Sequence, residues 1–154
     1  MTGIFLTVWD RTWKTNAADA LQPTQGGYPH ITVVYTGKSL SEEDLNSFAC
    51  ESFRECGLRP VELSDPYVNS FIKENGEYRH DILLKTDSDT QEFVESLRTY
   101  FKQRFSGLKE DDYSMHPLHV TAKICKTEEE AESYRTEISS RLPLKVSITG
   151  ITID

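Results

Sequence analysis

Two short stretches carry the residue types that can move protons. Pro29-His30-Ile31-Thr32-Val33-Val34-Tyr35 and Leu118-His119-Val120-Thr121-Ala122-Lys123-Ile124 each place a histidine two residues ahead of a threonine, within a run of β-branched and apolar residues. Side chains of a strand alternate between its faces. His30 and Thr32 are therefore expected on one face, with Ile31, Val33 and Tyr35 on the other and Tyr35 in the core. His119 and Thr121 repeat the arrangement, with Val120, Ala122 and Ile124 behind and Lys123 on the His-Thr side. An imidazole titrates at about pH 6.5 and can give or take a proton near neutrality. A threonine hydroxyl can donate a hydrogen bond to an oxygen that is gaining negative charge. Two such pairs facing one cleft suit in-line attack of water on a phosphodiester. One histidine removes the water proton, the other protonates the departing ribose oxygen, and the threonines hold the non-bridging oxygens. Two strand histidines with threonine neighbours lack the third protein ligand expected of zinc, and no acidic ligand cluster is evident. The expectation is chemistry without a metal or other cofactor.

The elements that must hold these residues are legible from pattern. Gly3–Trp9 reads as a strand, and residues 10–28 as a polar stretch with a short helix around 14–21, closing in a loop at Gln25-Gly26-Gly27-Tyr28. After the first His-Thr strand, Ser41-Glu42-Glu43-Asp44 opens a capped helix. Its apolar stripe is Leu45, Phe48, Ala49, Phe53 and Cys56, and Gly57 ends it. Arg59–Leu63 and Tyr67–Ile72 are strand-like, interrupted at Asp65-Pro66, and Asn75-Gly76 signals a hairpin into 77–86. A second helix spans about 89–105, with the stripe Phe93, Val94, Leu97, Tyr100, Phe101 and Phe105. An acidic loop leads to the second His-Thr strand at 118–125. Thr127-Glu128-Glu129-Glu130 is a capping box for a third helix, which Pro143 breaks before a last strand, Leu144–Ile153. The two halves are alike: a loop ending near proline, a His-x-Thr strand, a capped helix and a further strand. Such a duplication can set the two His-Thr strands side by side about a pseudo-twofold axis.

Bulk properties narrow the class. The chain has 154 residues, 27% charged and 37% hydrophobic, which fits one ordinary globular domain. With 25 acidic against 17 basic residues the formal charge is −8, which argues against a broad grip on duplex nucleic acid. A small nucleotide or one RNA end remains compatible. Three cysteines in no metal-like spacing and no stretch long enough to span a membrane fit a cytoplasmic monomer. Tyr28 and Tyr113, in the loops before each motif, are candidates to stack a base, and Lys123 to offset phosphate charge. His116 reads as a surface residue, His80 as a hairpin residue without a motif, Trp9 and Trp13 as packing, and Cys50 and Cys56 as packing along their helix.

His-x-Thr alone is a weak signal; its specificity comes from the matched strands, matched capped helices and chain length. In these features the whole chain resembles the 2H phosphoesterase superfamily. The resemblance implies an α+β fold, bilobal and pseudo-twofold, with two antiparallel sheets flanking a central cleft and helices outside. It implies metal-independent hydrolysis or transesterification of phosphodiesters, often 2′,3′-cyclic phosphates of nucleotides or RNA 3′ ends. Carried over by position, the histidines are His30 and His119 and the threonines Thr32 and Thr121. His119-Val120-Thr121-Ala122-Lys123-Ile124-Cys125 is also similar to the His-x-Thr-x-Lys-Phe-Cys stretch of the myelin-type 2′,3′-cyclic nucleotide phosphodiesterases, where it is the first motif rather than the second. That likeness implies a 2′-phosphate product and the RNA-end-healing branch. Two other readings stand beside it: degradation of 2′,5′-oligoadenylate or cyclic-oligonucleotide signals, and a non-catalytic nucleotide- or RNA-end-binding module.

Overall fold

Local signals account for most element ends. The computed structural model describes residues 3–8, 29–54 and 59–153. Trp9, Trp13, Tyr28, Cys56, Gly57 and the helix expected around 14–21 lie outside them, as does the Phe53 side chain. The strands are β1 (Gly3–Val8), β2 (His30–Tyr35), β3 (Arg59–Ile72), β4 (Tyr78–Thr86), β5 (Val120–Cys125) and β6 (Leu144–Ile153). The α-helices are α1 (Glu42–Arg54), α2 (Ser88–Arg104) and α3 (Glu128–Ser139). Ser41 Oγ accepts from the Asp44 amide at 3.1 Å, and Thr127 Oγ1 from the Glu130 amide at 3.2 Å, so both capping signals are used as expected. The β3–β4 hairpin turns at 74–76 with Gly76 at φ +83°, in the left-handed region that a side chain strains.

All neighbouring strands are antiparallel and close a ring in the order β1-β2-β5-β4-β3-β6. A ring of so few strands has no room for a helix inside. Instead α1 packs on β1 and β6, α2 on β2, and α3 on β3, β4 and β5. The core therefore lies between ring and helices, where Ile4, Leu6, Ile31, Ile82, Leu84 and Val120 meet Leu45, Phe48, Val94, Phe101, Ala131 and Ile138. Alternate residues of the same strands point into the ring.

The expected two sheets are replaced by this one continuous ladder. The reason is β3, which does not stop at Asp65-Pro66. A bulge there lets it turn, so that Arg59–Leu63 pairs with β6 and Tyr67–Ile72 with β4. Asp65 takes φ +49° at the turn, a conformation Asp tolerates better than most residues. The strand order is itself symmetric: exchanging β1 with β4, β2 with β5 and β3 with β6 maps it onto itself. The symmetry extends to irregularities. Phe5 pairs with Thr32 but Ile4 with Val34, leaving Val33 as an extra residue; Leu83 pairs with Thr121 but Ile82 with Lys123, leaving Ala122 extra. Each His-x-Thr is thus followed at once by a β-bulge.

Asp87 fastens α2 to the ring. Its carboxylate accepts from the Glu62 amide at 2.8 Å, the Thr90 hydroxyl at 2.8 Å and the Thr90 amide at 3.1 Å. Burial pushes its pKa up, but these donors outweigh burial and hold the carboxyl below the usual value of 3.8. Because the folded pKa is the lower one, the stabilisation is present above pH 3.8 and is lost as pH falls through the folded value. Asp87→Ala is expected to cost about 1–2 kcal/mol at pH 7. The loss should shrink in acid, which urea unfolding at neutral pH and near pH 3 would check.

Candidate active site

The two motifs meet at one paired position. Ile31 of β2 lies opposite Val120 of β5 in antiparallel register, and both are fully buried behind the ladder. One step along that register puts His30 opposite Thr121 and Thr32 opposite His119. Facing side chains of an antiparallel pair have Cβ atoms about 4.5–5.5 Å apart. Carried one residue each way, this register lays the four positions out as a square on the ring's inner face, each histidine across from the other strand's threonine and diagonal to the other histidine. His30, His119 and Thr121 are half-buried, and Thr32 is buried with 9% of its surface exposed. On β1, Thr7 pairs with His30 and Phe5 with Thr32, and the Phe5 ring meets His30 edge-on at 5.0 Å. On β4, Leu83 pairs with Thr121.

His119 is oriented by the loop that leads into it. Its Nδ1 lies 2.6 Å from the Pro117 carbonyl oxygen. A carbonyl only accepts, so Nδ1 carries the proton and donates it, leaving Nε2 as the nitrogen that can take one. Burial lowers the His119 pKa from 6.5; the bond to Pro117 opposes this, the charges of His116 and His30 lower it further, and Asp81 raises it. The shift favours the neutral ring, the form a base needs. We expect an NMR titration of His119 with a midpoint below 6.5. Asp81→Asn should move that midpoint further down, and His116→Gln should move it back up. A midpoint at or above the ordinary value would contradict this electrostatic picture.

The remaining expected site residues are placed differently. The Ala122 bulge flips the alternation of β5, so Lys123 pairs with Ile82 on the helix side rather than standing beside Thr121. There its Nζ lies 4.9 Å from the Tyr134 ring centroid and 3.6 Å from Glu130. The Val33 bulge does the reverse to Tyr35, which leaves the core side, pairs with Gly3 and meets Phe5 at 5.3 Å and His116 at 5.1 Å. Tyr113 packs edge-on against Phe101 of α2 at 5.8 Å and does not join the His-Thr face. Tyr28 is outside the described residues. His80 is buried, with Nδ1 2.6 Å from the Ser70 hydroxyl. Cys50 is exposed rather than packed along α1, whereas Cys125 is buried.

Three residues emerge that pattern did not single out. Arg98 of α2 is 6% exposed. Its Nε donates to the Val33 carbonyl at 3.0 Å, and one Nη to the carbonyls of Thr32 at 3.0 Å and His116 at 2.7 Å. One guanidinium thus joins the first motif, at its bulge, to the loop that orients His119. Its signal was its place, at helical spacing between Val94 and Phe101 on an otherwise apolar stripe. Lys85, exposed on β4, falls opposite His119 when the Leu84–Val120 pairing is extended by one residue. It is a cation on the face of β4 that carries Leu83, the face Lys123 does not share. Asp81, two strand steps from Leu83 on the same face, is held by Arg79 through bonds of 2.7 and 2.9 Å. Among the described residues, no three His, Cys, Asp or Glu side chains gather into a metal-ligand set, and no helix is long and apolar enough to cross a membrane.

No family model matches the chain, and no curated protein matches it by sequence. Among solved structures it is similar to Usb1 of Kluyveromyces marxianus, with a TM-score of 0.54 and 12% identity over 99% of this chain and 96% of that one. At that identity the likeness speaks for the fold, and it extends over almost the full length of both chains.

Proposed function

We propose that the chain is a metal-independent phosphodiesterase that opens 2′,3′-cyclic phosphates on nucleotides or RNA 3′ ends. The observation that carries the reading is the Ile31–Val120 register, which brings the two His-x-Thr segments side by side. His119, neutral and with Nε2 available, removes a proton from water as it attacks phosphorus. The bond from phosphorus to one ribose oxygen breaks, and that oxygen takes its proton from His30. Thr32 and Thr121 hold the non-bridging oxygens, and Lys85 offsets their charge. The fold likeness to Usb1 supports the fold that this reading requires. The reading takes the chain as one catalytic domain, acting as a monomer in a reducing, cytoplasmic setting, with the 2′-phosphate as product.

A substrate panel tests the assignment: 2′,3′-cyclic AMP, an oligoribonucleotide ending in a 2′,3′-cyclic phosphate, and a 2′,5′-linked oligoadenylate. Hydrolysis of the first two with the third untouched is expected. Cleavage confined to the 2′,5′ linkage would replace this reading with the signal-degrading one.

A further inference from the structure

The β3–β4 ribbon reaches beyond the rest of the ring. β5 pairs with β4 only from His80 to Leu84, and β6 pairs with β3 only from Arg59 to Leu63. Residues Tyr67–Ile72 of β3 therefore have β4 on one side and no strand on the other, and Tyr78 and Arg79 pair only with β3. Of the exposed large hydrophobic residues on this ribbon, Phe71 at 39% lies on the face it shares with Arg79, and Ile72 at 59% and Tyr78 at 62% lie on the opposite face. Its inner face continues that of the candidate site. Register puts Tyr67 beside Leu83, Asn69 beside Asp81 and Phe71 beside Arg79, with Lys85 one step nearer His119. A cation sits over an aromatic ring at each end of this row: Lys85 Nζ is 5.7 Å from the Tyr67 centroid and the Arg79 guanidinium 5.2 Å from that of Phe71. Asp81 is the acid in the row, and Arg79 already neutralises it, so Lys85 leaves the row net positive on a chain of net charge −8.

We propose that this inner face of the ribbon is a docking track for single-stranded polynucleotide, holding the nucleotides that lead to the cyclic phosphate. The inference rests on the reading of the His-Thr square as a phosphodiesterase site and names its preferred substrate, an oligonucleotide end rather than a free mononucleotide. Aromatic faces interleaved with cations hold single strands, because every base has a stacking face and every phosphate a charge. A duplex needs a wide basic surface, which a narrow ribbon on an acidic chain does not offer.

The test is fluorescence anisotropy of a labelled single-stranded octaribonucleotide ending in a 2′,3′-cyclic phosphate. It is bound to the full-length His30→Ala/His119→Ala chain, which leaves it intact. Adding Phe71→Ala or Phe71→Leu should weaken binding roughly 5- to 100-fold, and Phe71→Tyr should retain it. Circular dichroism confirms the fold of each variant. Lys85→Gln should reduce the salt dependence of binding by about one phosphate contact. Binding that is equal in all the Phe71 variants would overturn the track, as would a ribbon whose only response is a change in self-association. The two failures are separable. Loss of binding in Phe71→Ala with no hydrolysis by the wild type keeps the track and removes the catalytic reading. Hydrolysis of 2′,3′-cyclic AMP with unchanged oligonucleotide binding does the opposite.

Discussion

His30→Ala and His119→Ala are each expected to lower turnover of a 2′,3′-cyclic phosphate by about 10²–10⁴-fold, the range for removing one positioned acid or base. The loss should fall mainly on kcat, because neither imidazole is needed to hold the phosphate in the ground state. The double variant should be little worse than the poorer single one, since two groups that act in one proton relay do not contribute additively. Both histidines are only half-buried and neither belongs to the apolar core, so the variants should fold. Single-turnover kinetics on the three proteins checks this. Two independent losses that multiply would indicate that the histidines do not share one step.

Arg98→Met is expected to be the most damaging single change outside the motifs, costing about 3–5 kcal/mol of stability. The guanidinium is buried and donates to three carbonyls: Thr32, Val33 and His116. The Val33 bulge takes main-chain groups out of the ladder, and Arg98 is the donor that reaches them. Removing it strands buried acceptors, each at a cost of about 1–3 kcal/mol. The ion pair to Glu95 adds little, because Glu95 is 64% exposed. A domain of this size should lose roughly 10 °C of melting temperature. Arg98→Lys, with one ammonium in place of a fork, should fall between. Urea unfolding within about 1 kcal/mol of wild type would show that water replaces the guanidinium at those carbonyls.

Strand and helix positions were readable because they follow local chemistry. Ser41 and Thr127 cap the helices that follow them, Asn75-Gly76 turns a hairpin, and Leu144–Ile153 is a strand end to end. The two His-Thr strands lie side by side as expected, with Ile31 opposite Val120. The bulges were not. Val33 is a strand former and Ala122 a small apolar residue within a β-branched run, and nothing local marks either as extra. Ring closure sets their place, and each reverses the face of every residue after it. That is why Tyr35 turns toward the site and Lys123 away from it. Lys85 was hidden for a related reason: its place opposite His119 follows only from the β4–β5 register. The second sheet dissolved into a ring because β3 bends at Asp65-Pro66 instead of ending there, a choice that depends on β6, some eighty residues later in the chain.

The central claim is that two facing His-Thr pairs hydrolyse a cyclic phosphate unaided by a metal. The most direct measurement is turnover of 2′,3′-cyclic AMP by the purified chain in excess EDTA, followed by phosphorus NMR. Steady hydrolysis to a nucleoside monophosphate is expected, at a rate the chelator does not change, with the NMR signal identifying the oxygen that kept the phosphate. A folded protein that leaves the substrate intact, or one whose activity disappears with EDTA and returns with a divalent cation, would contradict it.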